Sequence, residues 1–285
     1  MTLAPTDLIL SAGSMMSVPV LDRLRPAREA GFAGVSLMGA DYQQMVASGV
    51  SAEDLRERAA DEGLVVTEVE GIYLGLPGRE PGPTMPASLA QLLKGMDAPR
   101  YLAVAVAAGA SSITVIDMFD GAVDIDQAAE AFADICDRAR DLGLTVQLEY
   151  VVGGGIATYA DTCEVIRRAG RGNGGLMIDS WHLFRGNVTL DELARTPGDR
   201  VFGVQINDGP PPTDADPLRE MTKGRLMPGE GIFDLVGMIR TLDAIGSKAP
   251  ISIEVFSDTL SALPADEAAR RCAETTRATL HKARG

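Results

Sequence analysis

Four short apolar runs in the second half of the chain each end on, or carry near their end, an oxygen-bearing side chain. LTVQLE ends in Glu149, GLMID ends in Asp179, VFGVQI carries Gln205 and PISIEVF carries Glu254. Three carboxylates brought together without a cation repel one another, and their pKa values rise. No Lys or Arg stands at the ends of the Glu149, Asp179 or Glu254 runs to relieve this. One divalent cation would relieve it, with those three as anionic ligands and the Gln205 amide oxygen as the fourth. An all-oxygen set favours Mg²⁺ or Mn²⁺ over Zn²⁺, which prefers imidazole and thiolate. A single carboxylate at a strand end is often no more than a helix cap or a loop acceptor. Four such groups on successive runs are the pattern of a shared ion.

Other residues stand near these ends. His182, one of two histidines, follows Asp179 by three positions, and Trp181 beside it, the only tryptophan, reads as core or as a pocket wall. Glu68 and Glu70 share one face of an earlier apolar run, and Asp117 follows another; each reads either as a contact to substrate hydroxyls or as structural. His281 reads as a surface residue.

The elements that must carry these groups alternate regularly. Strands are expected at Asp7–Ala12, Phe32–Met38, Leu64–Glu70, Ser112–Ile116, Leu144–Glu149, Gly175–Asp179, Val201–Ile206 and Pro250–Phe256. Helices are expected at Val18–Ala30, Ser51–Glu62, Ala87–Ala108, Asp126–Asp141, Thr158–Ala169, Leu190–Arg195, Phe233–Ile245 and Ala265–Lys282, several stopped by a glycine. Strict alternation predicts parallel strands with right-handed crossovers. Eight units predict an α/β fold, a (β/α)8 TIM barrel, read as one domain over residues 1–285 with its active site at the carboxyl ends of the strands. No GxGxxG follows the first strand, which argues against an open dinucleotide-binding sheet. The Gly/Pro-rich stretch 75–86 is a candidate lid, and 207–231 a second long loop.

Composition narrows the partners. The net charge of −14 argues against nucleic acid and against an anionic membrane surface. Three scattered cysteines and no CxxC argue against zinc knuckles and disulfide frameworks, and fit a cytoplasmic protein. There is no signal-like start and no long unbroken apolar run. A homo-oligomer is left open.

The pieces AREAGFAGVSL, LEYV, IDSWH, VQIND, RLMPGEGIFDL and ISIEVF resemble, in that order, the xylose isomerase-like barrel superfamily, the sugar phosphate isomerase/epimerase group. The resemblance implies a metal held by Glu149, Asp179, Gln205 and Glu254, with His182 and Arg225 contacting substrate. Many isomerase members carry His where this chain has Gln205, and Gln there resembles the dehydroshikimate dehydratase branch. The leading expectation is proton abstraction beside the carbonyl of a polyhydroxylated keto substrate, a sugar or cyclitol. Glu149 and Glu254 then act from opposite sides, one taking a proton and the other returning one, with His182 on a substrate oxygen. The alternative expectation is a dehydratase that expels a β-hydroxyl after the same first step. No Gly-rich turn with a basic partner follows the last two strands, so a non-phosphorylated substrate is favoured. An endonuclease would need several metals and many histidines, and a binding protein that had lost turnover would not need the full carboxylate set.

Overall fold

The computed structural model describes residues 6–76, 95–119, 121–156, 158–212 and 217–285, together with Leu3, Ala87, Ala90 and Gln91. Eight strands form a closed barrel in chain order: β1 Leu8–Leu10, β2 Gly34–Met38, β3 Val65–Tyr73, β4 Ser112–Ile116, β5 Thr145–Glu149, β6 Gly174–Asp179, β7 Val201–Ile206 and β8 Ile251–Ile253. Every neighbouring pair is parallel, and β1 closes the barrel on β8. All eight expected strands are present. The third runs three residues past Glu70, with a register irregularity against β4 between Val69 and Ile72. The last is shorter than expected, so Glu254 stands one residue beyond it, tied to β7 by its N–H to the Ile206 carbonyl at 3.2 Å.

Helices cover the barrel. Those after β1 to β4 are α1 Val20–Glu29, α2 Gly39–Ala47, α3 Ala52–Asp61, α4 Ala98–Ala108 and α5 Ile125–Asp141. The remainder are α6 Tyr159–Ala169, α7 Ser180–Arg185, α8 Leu190–Leu193, α9 Pro217–Lys223, α10 Leu235–Ala244, α11 Asp258–Ser261 and α12 Ala265–Arg284. Side-chain caps set many of the starts. Ser51 accepts from Asp54 N at 3.1 Å while Asp54 accepts from Ser51 N at 2.8 Å, a capping box that opens α3.

Four short helices, α2, α7, α9 and α11, were not expected from periodicity; α7, α9 and α11, of six, seven and four residues, are too short to show a 3.6-residue stripe, and α2 is of mixed polarity. Within the expected helix from Ala87, the described residues Ala87, Ala90 and Gln91 are helical, and α4 begins at Ala98, where Asp97 caps it through Arg100 N. Beyond Leu76, the candidate lid lies outside the described residues. No helix among the described residues is long and apolar enough to cross a membrane.

Alternation along each strand decides what enters the lumen. Thr114 and Gln147 both reach Glu68, at 2.8 and 3.4 Å, in a lower layer. Two residues further along β3, Glu70 belongs to an upper layer and meets Ser11, Ser36 and Gln205. Burial, then repulsion from Glu70, pushes the Glu68 carboxyl up to about 8. Above these layers a small apolar cluster of Ile116, Phe119, Val151, Trp181 and Met221 packs at the mouth, apart from the main core.

Candidate active site

Glu149, Asp179 and Glu254 converge as the alternation requires. Each offers a carboxylate oxygen, and these three atoms lie within 4.8 Å of one another, an arrangement able to hold a metal ion. Asp179 has a second duty: its Oδ1 accepts from Trp181 N at 2.7 Å and His182 N at 3.1 Å, capping α7. Its Oδ2 accepts from Asn207 Nδ2 at 3.1 Å and from Arg225 at 2.8 Å.

Arg225 changes the charge picture. No basic residue ends the carboxylate-bearing strands, yet the long loop after β7 folds back and delivers one. The guanidinium bridges Asp179 Oδ2 at 2.8 Å and Glu254 Oε2 at 3.1 Å, and its Nε donates to the Met221 carbonyl at 2.9 Å. It lies between the rings of Phe256 and Trp181, 4.7 and 5.6 Å from their centroids. Sequence reading of the strand ends alone missed this cation because its position depends on the course of the loop.

That course is fixed by Asp208. Its backbone pairs with Leu226 in both directions at 2.8 Å. Its Oδ1 accepts from Gly209 N at 2.9 Å and Phe233 N at 3.0 Å, and its Oδ2 accepts from Gly229 N at 3.0 Å. Arg225 N donates to the Phe256 carbonyl at 3.0 Å, so the loop is tied to the ends of both β7 and β8. Gly231 allows this closure: a Cβ there would lie 2.2 Å from the Gly209 carbonyl oxygen and 2.3 Å from Asp208 Oδ1. Gly231→Ala is expected to cost about 1–3 kcal/mol through this overlap. A denaturant midpoint lowered together with a raised KM for substrate checks it; an unchanged midpoint would remove Asp208 and Gly231 as the clamp.

Gln205 donates its Nε2 to Glu70 Oε2 at 2.8 Å and to Glu254 Oε1 at 3.1 Å. Its Oε1 is buried and, like Asn207 Oδ1, has no hydrogen-bond partner among the described residues. A buried carbonyl oxygen left unpaired costs about 1–3 kcal/mol. Three carboxylates and an orphaned amide oxygen suit a hard divalent cation.

His182 is buried above Glu149. Its Nδ1 accepts from Val152 N at 3.1 Å, which places the proton of the neutral ring on Nε2. Nε2 stands 3.7 Å from Glu149 Oε1, beyond hydrogen-bond reach, and so is free to donate elsewhere. Burial lowers its pKa to about 4, against the pull of Asp179. A ring whose folded pKa lies below its unfolded value contributes stability at neutral pH that is lost as the pH falls through the folded value. In metal-free protein, ring ¹⁵N shifts are expected to stay those of a neutral Nε2–H tautomer down to about pH 5; protonation near the usual 6.5 would contradict this.

The carboxyl groups are pushed apart. Burial, then Asp179, raises Glu149 well above its ordinary value, and burial, then Glu70, does the same for Glu254. Burial pushes Asp179 up as well, but Arg225 and His182 outweigh it and hold Asp179 below the usual range. One ionised carboxylate therefore lies between two that are ready to carry a proton, an arrangement suited to acid–base work.

Among the other sequence candidates, Glu70 joins this cluster from β3. Asp117 sits in the turn after β4, where its Oδ1 accepts from Phe119 N at 3.0 Å and its carbonyl from Gly155 N at 3.2 Å. Ser11, Ser36 and Asn207 were not singled out from the sequence. Their signal was available in strand alternation, since each lies at the carboxyl end or on the lumen face of its strand.

Two curated relatives match parts of the chain. It is 33% identical over 137 residues to the 3-dehydroshikimate dehydratase of Pseudomonas aeruginosa, covering 48% of this chain and 22% of that protein. It is 28% identical over 158 residues to the inosose isomerase of Bacillus velezensis, covering 54% of this chain and 55% of that protein. The matches thus span about half or less of these relatives' length. Among solved structures, the IOLI protein with a bound zinc atom superposes with a TM-score of 0.79 over 97% of this chain and 99% of that one. Identity there is 17%, so this is a likeness of fold. The family model of the xylose isomerase-like TIM barrel matches residues 24–279, a span that takes in every strand from β2 to β8, and the chain belongs to that family.

Proposed function

We propose that this protein is a divalent-metal-dependent isomerase or epimerase that moves a proton on the carbon next to the carbonyl of a polyhydroxylated sugar or cyclitol. The observation that carries this reading is the convergence of Glu149 and Glu254 within 4.8 Å of an ionised Asp179, both glutamates being raised in pKa. They come from β5 and from the residue after β8, the strands that directly flank the β6–β7 pair, so a substrate lying over Asp179 and Gln205 has one on each side.

Glu149, Asp179, Glu254 and Gln205 Oε1 are the residues that would hold the ion, with Mn²⁺ or Mg²⁺ suiting the oxygen set. Bound there, a divalent ion supplies Lewis acidity at the substrate carbonyl oxygen, lowering the acidity barrier of the adjacent carbon. Of the two glutamates, one removes the proton from that carbon and the other returns a proton to the opposite face or to the neighbouring carbon. His182 donates its Nε2–H to a substrate oxygen, and the apolar wall of Trp181, Phe119 and Val151 limits water at the mouth. Arg225, already paired with two carboxylates, fixes their orientation.

Gln205 favours a second reading, a dehydratase. Inosose isomerases and 3-dehydroshikimate dehydratases are both among the relatives. In this reading the same proton is removed, the electron pair forms a carbon–carbon double bond, and the β-hydroxyl leaves, protonated to water by His182 or a neighbouring acid. Incubation of the Mn²⁺-loaded protein in D₂O with an inosose and, separately, with 3-dehydroshikimate tests both readings. Deuterium appearing beside the carbonyl without ultraviolet absorbance supports isomerisation, and an absorbing enone supports dehydration. Neither signal with these substrates or with a panel of ketoses would overturn the proposal.

A further inference from the structure

We propose that Glu70 is a positioning residue: it holds the Gln205 amide by its nitrogen, so that the oxygen is the atom β7 has left to offer a metal. The inference rests on the reading of Glu149, Asp179, Gln205 and Glu254 as a metal site.

A glutamine side chain ends in an acceptor and a donor of nearly equal size, and rotation about the last torsion exchanges them. A cation can use only the oxygen, so a Gln ligand needs something to choose the rotamer. A histidine ligand has a parallel need, an outer partner that fixes its tautomer and ring orientation. Here the choice is made by two carboxylates. Glu70 Oε2 and Glu254 Oε1 both lie opposite the Gln205 amide nitrogen and accept from it, at 2.8 and 3.1 Å. Both are therefore served by Nε2, and Oε1 is left without a partner among the described residues.

Glu70 is itself held rigidly. Its Oε1 takes Ser11 Oγ at 3.0 Å, Ala12 N at 3.3 Å and a short contact from Ser36 Oγ. Ala12 N also donates to Ser36 Oγ at 2.8 Å. These donors come from the two residues that follow β1 and from β2, so one oxygen of Glu70 is saturated by the strands on its own side of the barrel. The other oxygen points to Gln205. Ser11 has a single hydroxyl proton to divide between Glu70 and Glu254, at 3.0 and 3.2 Å, which leaves Gln205 as the donor both carboxylates share. Burial of Glu70 beneath the cluster, with no side chain of its own placed in the carboxylate triad, fits a role carried out through Gln205.

The test measures Mn²⁺ binding in substrate-free protein, by calorimetry and by loss of the free-ion electron paramagnetic resonance signal. Removing an outer partner of a metal ligand typically costs about 10–100-fold in metal affinity. Glu70→Gln keeps the shape but offers an amide that no longer dictates which end of Gln205 it meets, so a loss in that range is expected. The discriminating arm is the same change in a Gln205→Ala background. If Glu70 acts through Gln205, Glu70→Gln costs less than about threefold there. A comparable loss in both backgrounds would mean that Glu70 acts through its charge alone and would overturn the proposal, as would wild-type affinity in Glu70→Gln. Ser36→Ala, which frees one support of Glu70, is a second variant expected to weaken Mn²⁺ in the same background-dependent way. Failure of the wild-type protein to bind Mn²⁺ would overturn the metal site as well, and is seen before any variant is made.

Discussion

Glu254→Gln is expected to lower turnover by about a thousandfold, within the range that a positioned general acid–base group contributes. The substitution keeps length and shape, and a Gln oxygen at this position still accepts from Ser11 and Gln205, which now reach Glu254 at 3.2 and 3.1 Å. What it loses is the transferable proton and one of the three negative charges gathered within 4.8 Å. The signature is therefore loss of solvent-deuterium exchange into substrate in protein that still folds cooperatively, with a melting temperature lowered by the lost Arg225 contact at Glu254 Oε2. Glu149→Gln belongs to the same test, because proton removal and return need both groups. Of the two, Glu149 is the less constrained: its carboxylate is the most exposed of the triad, at 11%. If either variant exchanged deuterium at the native rate, the acid–base assignment would fail for that residue.

The barrel was legible because its signal is local. Each strand is a short apolar run bounded by glycine or by a capped helix, and eight of them in alternation leave few other topologies. The carboxylate triad was legible for the same reason, since a strand's last residue and its alternation place it at the rim. The misses are of a different kind. Gly39–Ala47 follows β2 directly, with mixed polarity over nine residues, and only the packed structure shows it to be helical. Ser11 and Ser36 are ordinary strand serines until β1, β2 and β3 are laid side by side around Glu70. Arg225 entered through family resemblance as a substrate contact; its bridge between Asp179 and Glu254 depends on hydrogen bonds from Asp208 and Phe256 that close a loop of more than twenty residues. Residues that act through a strand's own geometry are readable one strand at a time, and those that act across the lumen are not.

Removing Arg225 should have the largest effect on stability. The guanidinium is the cation in direct contact with two buried carboxylates, and it is itself 2% exposed between two aromatic rings. Breaking a buried ion pair by deleting one partner costs about 3–5 kcal/mol, because the remaining charge is left in a poorly solvated place. Arg225→Ala is expected to fall in that range in metal-free protein at neutral pH. The deficit has a predictable pH dependence. Loss of the positive neighbour raises Glu149 and Glu254 further, and both already stand above their ordinary values in the folded protein. Groups whose folded pKa exceeds the unfolded one lose stability as the pH rises from the unfolded value through the folded one. The difference between Arg225→Ala and the parent should therefore grow as the pH rises above the ordinary carboxylate range, added to a part from Asp179 already present there, because Arg225 holds Asp179 below that range in the parent. Mn²⁺ supplies the variant with a replacement cation at the same carboxylates, so the ion should raise its melting temperature more than it raises that of the parent. A deficit independent of pH and untouched by Mn²⁺ would mean that Arg225 stabilises the loop by packing against Phe256 and Trp181 rather than by compensating the carboxylate charge.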